Sequence, residues 1–389
     1  MSLGSKRELY SVVKLRYQYA SRVQKSRILD EYSANAGISR KYAIRLLNEG
    51  YRKGKKKPGR KSIYSNDREF CEALRIVWKL FNYSSGKILT PQIPELLKHY
   101  ELHYPALSVE TKNKFLKVSS ATVDRILRKY KSRGKVTTKP GSLLRTEIPI
   151  QGNVWEESKP GFLEADTVAH CGMTTQGIYI NTVTLTDIAT QWTECRAMFG
   201  KGAHETLLAI NEMKSSFPFE MKGFDSDNGS EFINQHLVRY MAERNIKFTR
   251  SRPYKKNDNA HVEQKNYSFV RQLMGYARLE NPDLVPVMNE VYVNWCRLKN
   301  FFIPNMKLIE KRRVGSKIYK VHDKPTTSYQ RVLNSSHVAD EKKLQLQRFY
   351  ESLDPFQLKK NMDALTKQIP ALARISFNDW KLLQLPQSH

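Results

Sequence analysis

From Gly161 the residue pattern changes from helical spacing to short β-rich runs, and this change limits the fold more than any other feature of the chain. Segments 162–168, 178–186 and 191–198 are rich in β-branched and aromatic residues and are separated by turn formers. An amphipathic helix is expected over 204–217, then a short strand reaching Asp225, a helix over 230–244 and a strand over 246–249. Long helices follow from 260, and the domain is expected to end near Asn300. Three strands, then alternating helix and strand, describe an α/β domain with a mixed sheet.

Three carboxylates fall at informative places on these elements. Asp166 ends the run Gly161-Phe162-Leu163-Glu164-Ala165-Asp166 on the first strand. Asp227 follows the apolar lead-in Met221 to Phe224 and sits in an Asp-Asn-Gly turn. Glu263 lies just inside a helix opening around Asn257 or Asp258, with 35 residues between it and Asp227. Carboxylates on separate elements can hold two divalent ions ~3.5–4 Å apart, which activate an oxygen nucleophile and stabilise a leaving oxygen at a phosphodiester. Mg²⁺ suits such a site because it takes oxygen ligands and few protein side chains. Each acid also has a plainer reading. Asp-Asn-Gly is a common turn, Glu164 shares a strand face with Asp166 by the two-residue period, and Asp225 is read as structural. Asp187 is read as a turn cap.

The surroundings of Glu263 fit a site. On a regular helix Val262, Phe269, Leu273 and Tyr276 share a face that would pack on the sheet, leaving Glu263 at its edge. Asn266 and Tyr267 follow at i+3 and i+4. The preceding loop, 251–258, is basic, and Arg252, Lys255 and Lys256 are candidate DNA contacts there. Lys265 and Asn266 are further DNA-contact candidates, with an ordinary exposed helix charge as the alternative for Lys265.

Charge indicates the partner. The 389 residues hold 66 Lys+Arg against 38 Asp+Glu, a net +28. The first 150 residues carry 33 of those bases and 12 of the acids, hence +21 of the total. Such a surplus points to a polyanion, and to dense contact by the N-terminal part. Within it, 25–48 reads as helix, turn, helix: Ile28, Leu29 and Tyr32 face inward, Gly37 turns, and Ser39 caps a second helix. Arg40, Lys41 and Arg45 are expected outward, with Tyr42, Ile44, Leu46 and Leu47 as its apolar faces. This is the layout of a major-groove helix-turn-helix, or of a plain αα-hairpin. The run 51–61, with Lys55, Lys56, Lys57, Arg60 and Lys61, is broken by Gly and Pro. It is either a solvated tether or a groove-tracking linker. A second helical module places Phe70, Leu74, Val77, Trp78 and Phe81 at helical spacing and ends in a basic helix over 121–130, where Arg128 and Lys129 are candidate contacts. Two such modules suit half-sites ~34 Å apart.

The expected division is 1–62 (first DNA-binding module and basic linker), 63–135 (second module), 136–160 (linker), 161–300 (catalytic core) and 301–389. In the last part, Lys317 to Val321 with Val332 and Leu333 read as a small β-structure, and 340–365 as helix. A DNA-binding β-barrel and a dimerising helix both stand open there. Cys71, Cys171, Cys195 and Cys296 form no CxxC pair, so reduced thiols and no structural zinc are expected. His170, His204 and His261 receive no role. No apolar run approaches the ~18 residues of a membrane span and no signal peptide is apparent, so a cytoplasmic, nucleoid-associated protein is expected.

Asp166, Asp227 and Glu263 together resemble the DD35E triad of the retroviral integrase and bacterial transposase superfamily. DSDNGSEF and RPYKKNDNAHVEQKN resemble the versions in bacterial insertion-sequence transposases. The resemblance covers about 161–300 and extends to the helix-turn-helix modules such enzymes place before the core. It implies an RNase H-like core, two Mg²⁺ or Mn²⁺ ions held by the three acids, and double-stranded DNA as partner, both element ends and target. It also implies hydrolysis at the ends and attack of the freed 3′-hydroxyls on target DNA. Joining two ends implies at least a dimer. The zinc-binding HHCC domain of retroviral integrases is missing. Two other functions fit the same residues: a metal-dependent nuclease or resolvase, and a domesticated DNA-binding regulator that no longer uses its core.

Overall fold

The computed structural model describes residues 1–51, 63–130, 159–226, 231–232, 234–250, 265–314 and 317–384. The chain divides into two units, Met1–Ser62 and Ile63–His389.

Three helices make the first unit: α1 (Leu3–Tyr19), α2 (Arg22–Ala36) and α3 (Arg40–Glu49). Serines start all three. Ser2, Ser21 and Ser39 each accept a backbone N–H of the first turn, and Ser21 forms a reciprocal capping box with Gln24. Gly37 ends α2 at φ 60°, the left-handed position glycine fills without steric cost. Tyr32, Ala36, Ala43, Leu46 and Leu47 form the small core. Tyr42 and Ile44, expected on the apolar face of α3, instead lie on its outer side. The 3.6-residue period groups Ala43, Leu46 and Leu47, and only that stripe can reach α2.

The second unit opens with α4 (Arg68–Leu80), α5 (Gly86–Leu89), α6 (Ile93–His103), α7 (Val109–Lys117) and α8 (Ser120–Leu127). Phe70, Leu74, Val77 and Trp78 are buried along α4, at the spacing read from sequence. A 3₁₀ turn, Arg128–Tyr130, continues α8.

The sheet has five strands in the order β3-β2-β1-β4-β5. They are β1 (Phe162–Ala169), β2 (Ile180–Asp187), β3 (Thr193–Phe199), β4 (Gly223–Ser226) and β5 (Lys247–Arg250). β1, β2 and β3 pair antiparallel, whereas β4 and β5 join parallel. This is the mixed sheet expected from the pattern. Helices α9 (Ala203–Lys214) and α10 (Gln235–Glu243) cover one face, sharing a core with Leu163, Val183, Leu185 and Phe224. On the other face lies α13 (Leu284–Phe301), with Tyr292 and Trp295 fully buried. All eight residues of β2 are buried, as befits a strand with a layer on each side. The α4–α8 helices share one apolar core with α13 and the C-terminal helices.

Beyond α13, β6 (Leu308–Val314) and β7 (Lys317–His322) form a separate two-stranded sheet. Val332 and Leu333, expected to join a β-structure, belong to α14 (Ser328–Leu333), which Thr327 and Gln330 start with a capping box. The expected 340–365 helix is two, α15 (Asp340–Glu351) and α16 (Pro355–Thr366). Pro355 cannot donate its backbone nitrogen, so it opens a new helix under the Asp354 cap instead of continuing the old one.

Asp187 and Glu194 are among the buried acids of the sheet. Asp187 accepts the backbone N–H of Gly161 at 2.8 Å and both the N–H and the hydroxyl of Thr190 at 2.7 Å, closing the β2–β3 turn. Burial still pushes its pKa up to about 6. Glu194 accepts Trp192 Nε1–H at 2.8 Å and Asn300 Nδ2–H at 3.3 Å, and burial pushes it up to about 7. The unfolded chain ionises both near ~4. Their contribution to stability is therefore complete below that pH and is lost as pH rises through about 6 and about 7. Replacing Glu194 with Gln keeps the acceptor and removes the charge. Glu194→Gln should raise the urea midpoint at pH 8 and leave it nearly unchanged at pH 4; equal shifts at both would contradict a buried, titrating carboxyl.

Candidate active site

The site is built from the end of β1. The parallel ladder between β1 and β4 closes at Ala165↔Ser226, the residues that precede Asp166 and Asp227 in sequence. Across the antiparallel ladder Asp166 faces Thr184. Its carboxylate is held on both oxygens: Oδ1 accepts the Thr167 backbone N–H at 2.7 Å, and Oδ2 accepts Asn266 Nδ2–H at 2.6 Å. A carboxylate fixed by two donors keeps one orientation.

Asn266 comes from α11 (Asn266–Arg271), which is π-wound and runs into the single turn α12 (Gln272–Met274) before Gly275. The wider winding shifts the register expected of a regular helix. Phe269, Val270 and Met274 are buried, whereas Tyr276 lies past the helix and is 55% exposed. π-turns are short and uncommon, and they concentrate at functional sites. Arg271 anchors this element to β1 by donating to the Ala169 carbonyl at 3.0 Å.

Asp227 and Glu263 lie outside the described residues, as do Lys55, Lys56, Lys57, Arg60, Lys61, Arg252, Lys255 and Lys256. Among the described residues no three His, Cys, Asp or Glu side chains cluster to hold a metal. The donor set that is described nonetheless suits a hard cation. Beside the Asp166 carboxylate, the Oδ1 of Asn266, whose amide nitrogen donates to it, is buried with no hydrogen-bond partner, and oxygen ligands are what Mg²⁺ selects.

The remaining candidates differ from one another. Asp225 is buried and accepts the Thr249 hydroxyl at 2.5 Å, which ties β4 to β5. Glu164 is buried one strand period before Asp166. Lys265 is 7% exposed instead of lying on an open helix face. Burial, with Lys299 and Arg331 nearby, pulls its pKa down to about 7. It is therefore packed against Phe269, 5.7 Å from the ring centre, and does not present a free charge. Arg40 folds back onto Asp30 and onto Ser26 Oγ, Lys41 is exposed, and Arg45 lies over the Tyr42 ring at 4.8 Å. Arg128 and Lys129 are exposed on the 3₁₀ turn. His170 is buried beside Thr182, 2.9 Å from its hydroxyl, and burial holds it neutral with a pKa of about 3.

The Asn266 amide holding Asp166 was the feature hardest to anticipate, because it needs the π-turn. Its one sequence signal is a position three residues past Glu263. Asn266→Asp would set a second carboxylate against the first. The unfolding midpoint should drop by an amount equivalent to about 2 kcal/mol at pH 7.5 and recover toward pH 4 as one acid protonates. A loss independent of pH would separate Asn266 from Asp166.

Comparison with known proteins identifies relatives of this chain. Residues 156–256 match the model of the integrase core domain family. The uncharacterized protein y4rM of Sinorhizobium fredii is 37% identical over 333 residues, spanning 84% of this chain and 94% of that protein. Overlaps with solved structures are loose. The catalytic core domain of BIV integrase is 16% identical with a TM-score of 0.25, over 30% of this chain and 70% of that one. The HTLV-2 integrase catalytic core domain in complex with magnesium is 13% identical with a TM-score of 0.29, over 44% and 96%. This chain belongs to the same protein family as y4rM and carries an integrase-type core domain.

Proposed function

We propose that the protein is a DNA transposase that binds the ends of its insertion sequence, cuts there, and joins the freed 3′-hydroxyls to target DNA. The observation that carries the reading is the convergence on Asp166 of the described neighbours of the other two acids. Ser226, which precedes Asp227, pairs beside Ala165, and Asn266, three residues past Glu263, donates to Asp166 itself. With the 35-residue spacing, and an integrase core match that spans Asp166 and Asp227, this supports Asp166, Asp227 and Glu263 as the catalytic set.

These three would hold two Mg²⁺ or Mn²⁺ ions, whose chemistry is to lower the pKa of the attacking oxygen and offset charge on the leaving one. In the cutting step a water oxygen forms the new P–O bond and the 3′-oxygen leaves as the hydroxyl. In the joining step that 3′-oxygen attacks a target phosphodiester, and the target's own 3′-oxygen departs with the proton. Asp166, fixed by Thr167 and Asn266, meets the need for a preset ligand geometry. End recognition is assigned to unit 1 and its basic linker, with Lys41 and Arg45 on the open side of α3 and the Lys55 to Lys61 run along the phosphates. A complex that joins two ends contains at least two copies of the chain. No described helix is long and apolar enough to cross a membrane.

Two measurements test this. Asp227→Asn in the full-length protein should cut Mg²⁺-dependent strand transfer into a supercoiled target by more than about 10²-fold while end binding stays within about two-fold. Joining at the wild-type rate would remove Asp227 from the site, and cleavage with no joined product from the wild type would favour a nuclease. For end binding, Lys41→Ala and Arg45→Ala should each lower the slope of log K against log salt by about 1 if they contact phosphates. Unchanged slopes would place the DNA contact elsewhere.

A further inference from the structure

We propose that the groove between α4 and the Arg128–Tyr130 turn binds unpaired DNA nucleotides, seating a base on Tyr83 and the adjoining phosphates on Arg75 and Lys79. This rests on the reading of the chain as a DNA-processing enzyme, but it concerns a surface that reading leaves without a role. The groove has a volume of about 600 Å³.

Its charge is arranged rather than scattered. Glu72, Arg75, Ile76 and Lys79 line it from one stripe of α4, opposite the stripe buried in the core. Arg75 lies over the Tyr130 ring at 4.6 Å and Lys129 at 4.9 Å, so one ring holds two cations in place. Their N–H groups remain able to donate, and less side-chain freedom is left to lose when a phosphate arrives. The one acid among the described lining residues, Glu72, is paired with Arg68 at 2.8 Å. The groove is left net positive.

Tyr83 supplies the second half of the site. Asn82 and Tyr83 both adopt left-handed backbone, at φ 47° and 62°. A bulky residue is uncommon there, where glycine would sit without strain. The Tyr83 N–H donates to the Trp78 carbonyl at 3.0 Å, closing α4. The Trp78 ring meets the Tyr83 ring edge-on at 4.9 Å, and Trp78 Nε1–H donates to the Ser84 carbonyl at 2.9 Å. The phenol ring is therefore braced from behind and still 55% exposed. The strain is retained where its result is to present an aromatic surface beside Arg75 and Lys79. The rim is also tied to the core, because Asn82 Nδ2–H donates to Gln272 Oε1, on α12, at 3.3 Å.

An aromatic ring beside a row of cations selects single strands. In a duplex each base face is covered by its neighbours, whereas an unpaired nucleotide offers a base to the ring and a phosphate to the cations at once. An acidic peptide would use the cations and gain nothing from Tyr83.

The test compares, by fluorescence anisotropy with the full-length protein at ~150 mM salt, a blunt duplex and the same duplex bearing a thymidine overhang of about five nucleotides. The wild type should bind the overhang about ten-fold more tightly, the size of one good stacking contact. Tyr83→Gly keeps the left-handed backbone and relieves its strain. It should melt no lower than the wild type and bind blunt duplex within about two-fold, yet lose the overhang advantage. Tyr83→Phe should retain it, and the Arg75→Ala, Lys79→Ala double variant should lose it. A Tyr83→Gly protein with the full advantage overturns the proposal, as does a poly-glutamate competitor as effective as an unlabelled oligonucleotide. Wild-type protein that binds both duplexes equally and still joins strands defeats this site alone. Protein that binds neither defeats the transposase reading with it.

Discussion

Everything at the candidate site depends on β1 having two different neighbours. It pairs antiparallel with β2 along Leu163 to Ala169 and parallel with β4 along Phe162 to Ala165. Backbone hydrogen bonds on both edges fix its position to a fraction of a residue, because a one-residue slip would turn every side chain to the other face. Asp166 lies just past the last β4 pair, where the parallel partner ends and the strand still has β2 to hold it. A carboxylate there is on rigid backbone yet at the border of the sheet, the usual place for ligand chemistry in α/β folds.

The second constraint is burial of charge. Asp187, Glu194, Lys265 and His170 are all taken from water near this sheet, and in each the larger influence is desolvation. Asp187 is compensated by three donors that also close a turn, and Glu194 by an indole and an amide, so both acids brace structure. Lys265 differs in having like charges as its electrostatic neighbours, two residues from Glu263. The strongly basic composition thus covers two unlike situations: exposed cations such as Lys41 and Lys129, suited to a polyanion, and enclosed ones that pack on aromatic rings.

Much of this was legible in the residues alone. The five strands, the flanking helices and the Ser39 cap followed from local pattern and capping chemistry, which act over a few residues and survive without tertiary context. Asp166 could be set apart from Glu164 only by resemblance, since a two-residue period cannot rank them. The errors share a cause. Tyr42 and Ile44 are apolar in type but out of helical phase with Ala43, Leu46 and Leu47, so they lie on the outer side of α3. Tyr276 was placed on a regular helix that winds as a π-turn before it arrives. Val332 and Leu333 suit strand or helix equally until Thr327 caps them. Lys265 was set on an open face because no pattern within reach of it specifies what packs above.

The sequence by itself determined the element types, the mixed α/β core and the concentration of positive charge, because these rest on propensity and composition along one chain. Tertiary structure alone decided which groups meet. It brought the Asn266 amide to Asp166 across 100 residues, buried Lys265, and set Arg75 and Lys129 on one ring beside Tyr83. Those outcomes depend on close packing between elements distant in sequence, and no periodicity along the chain encodes a distance across it.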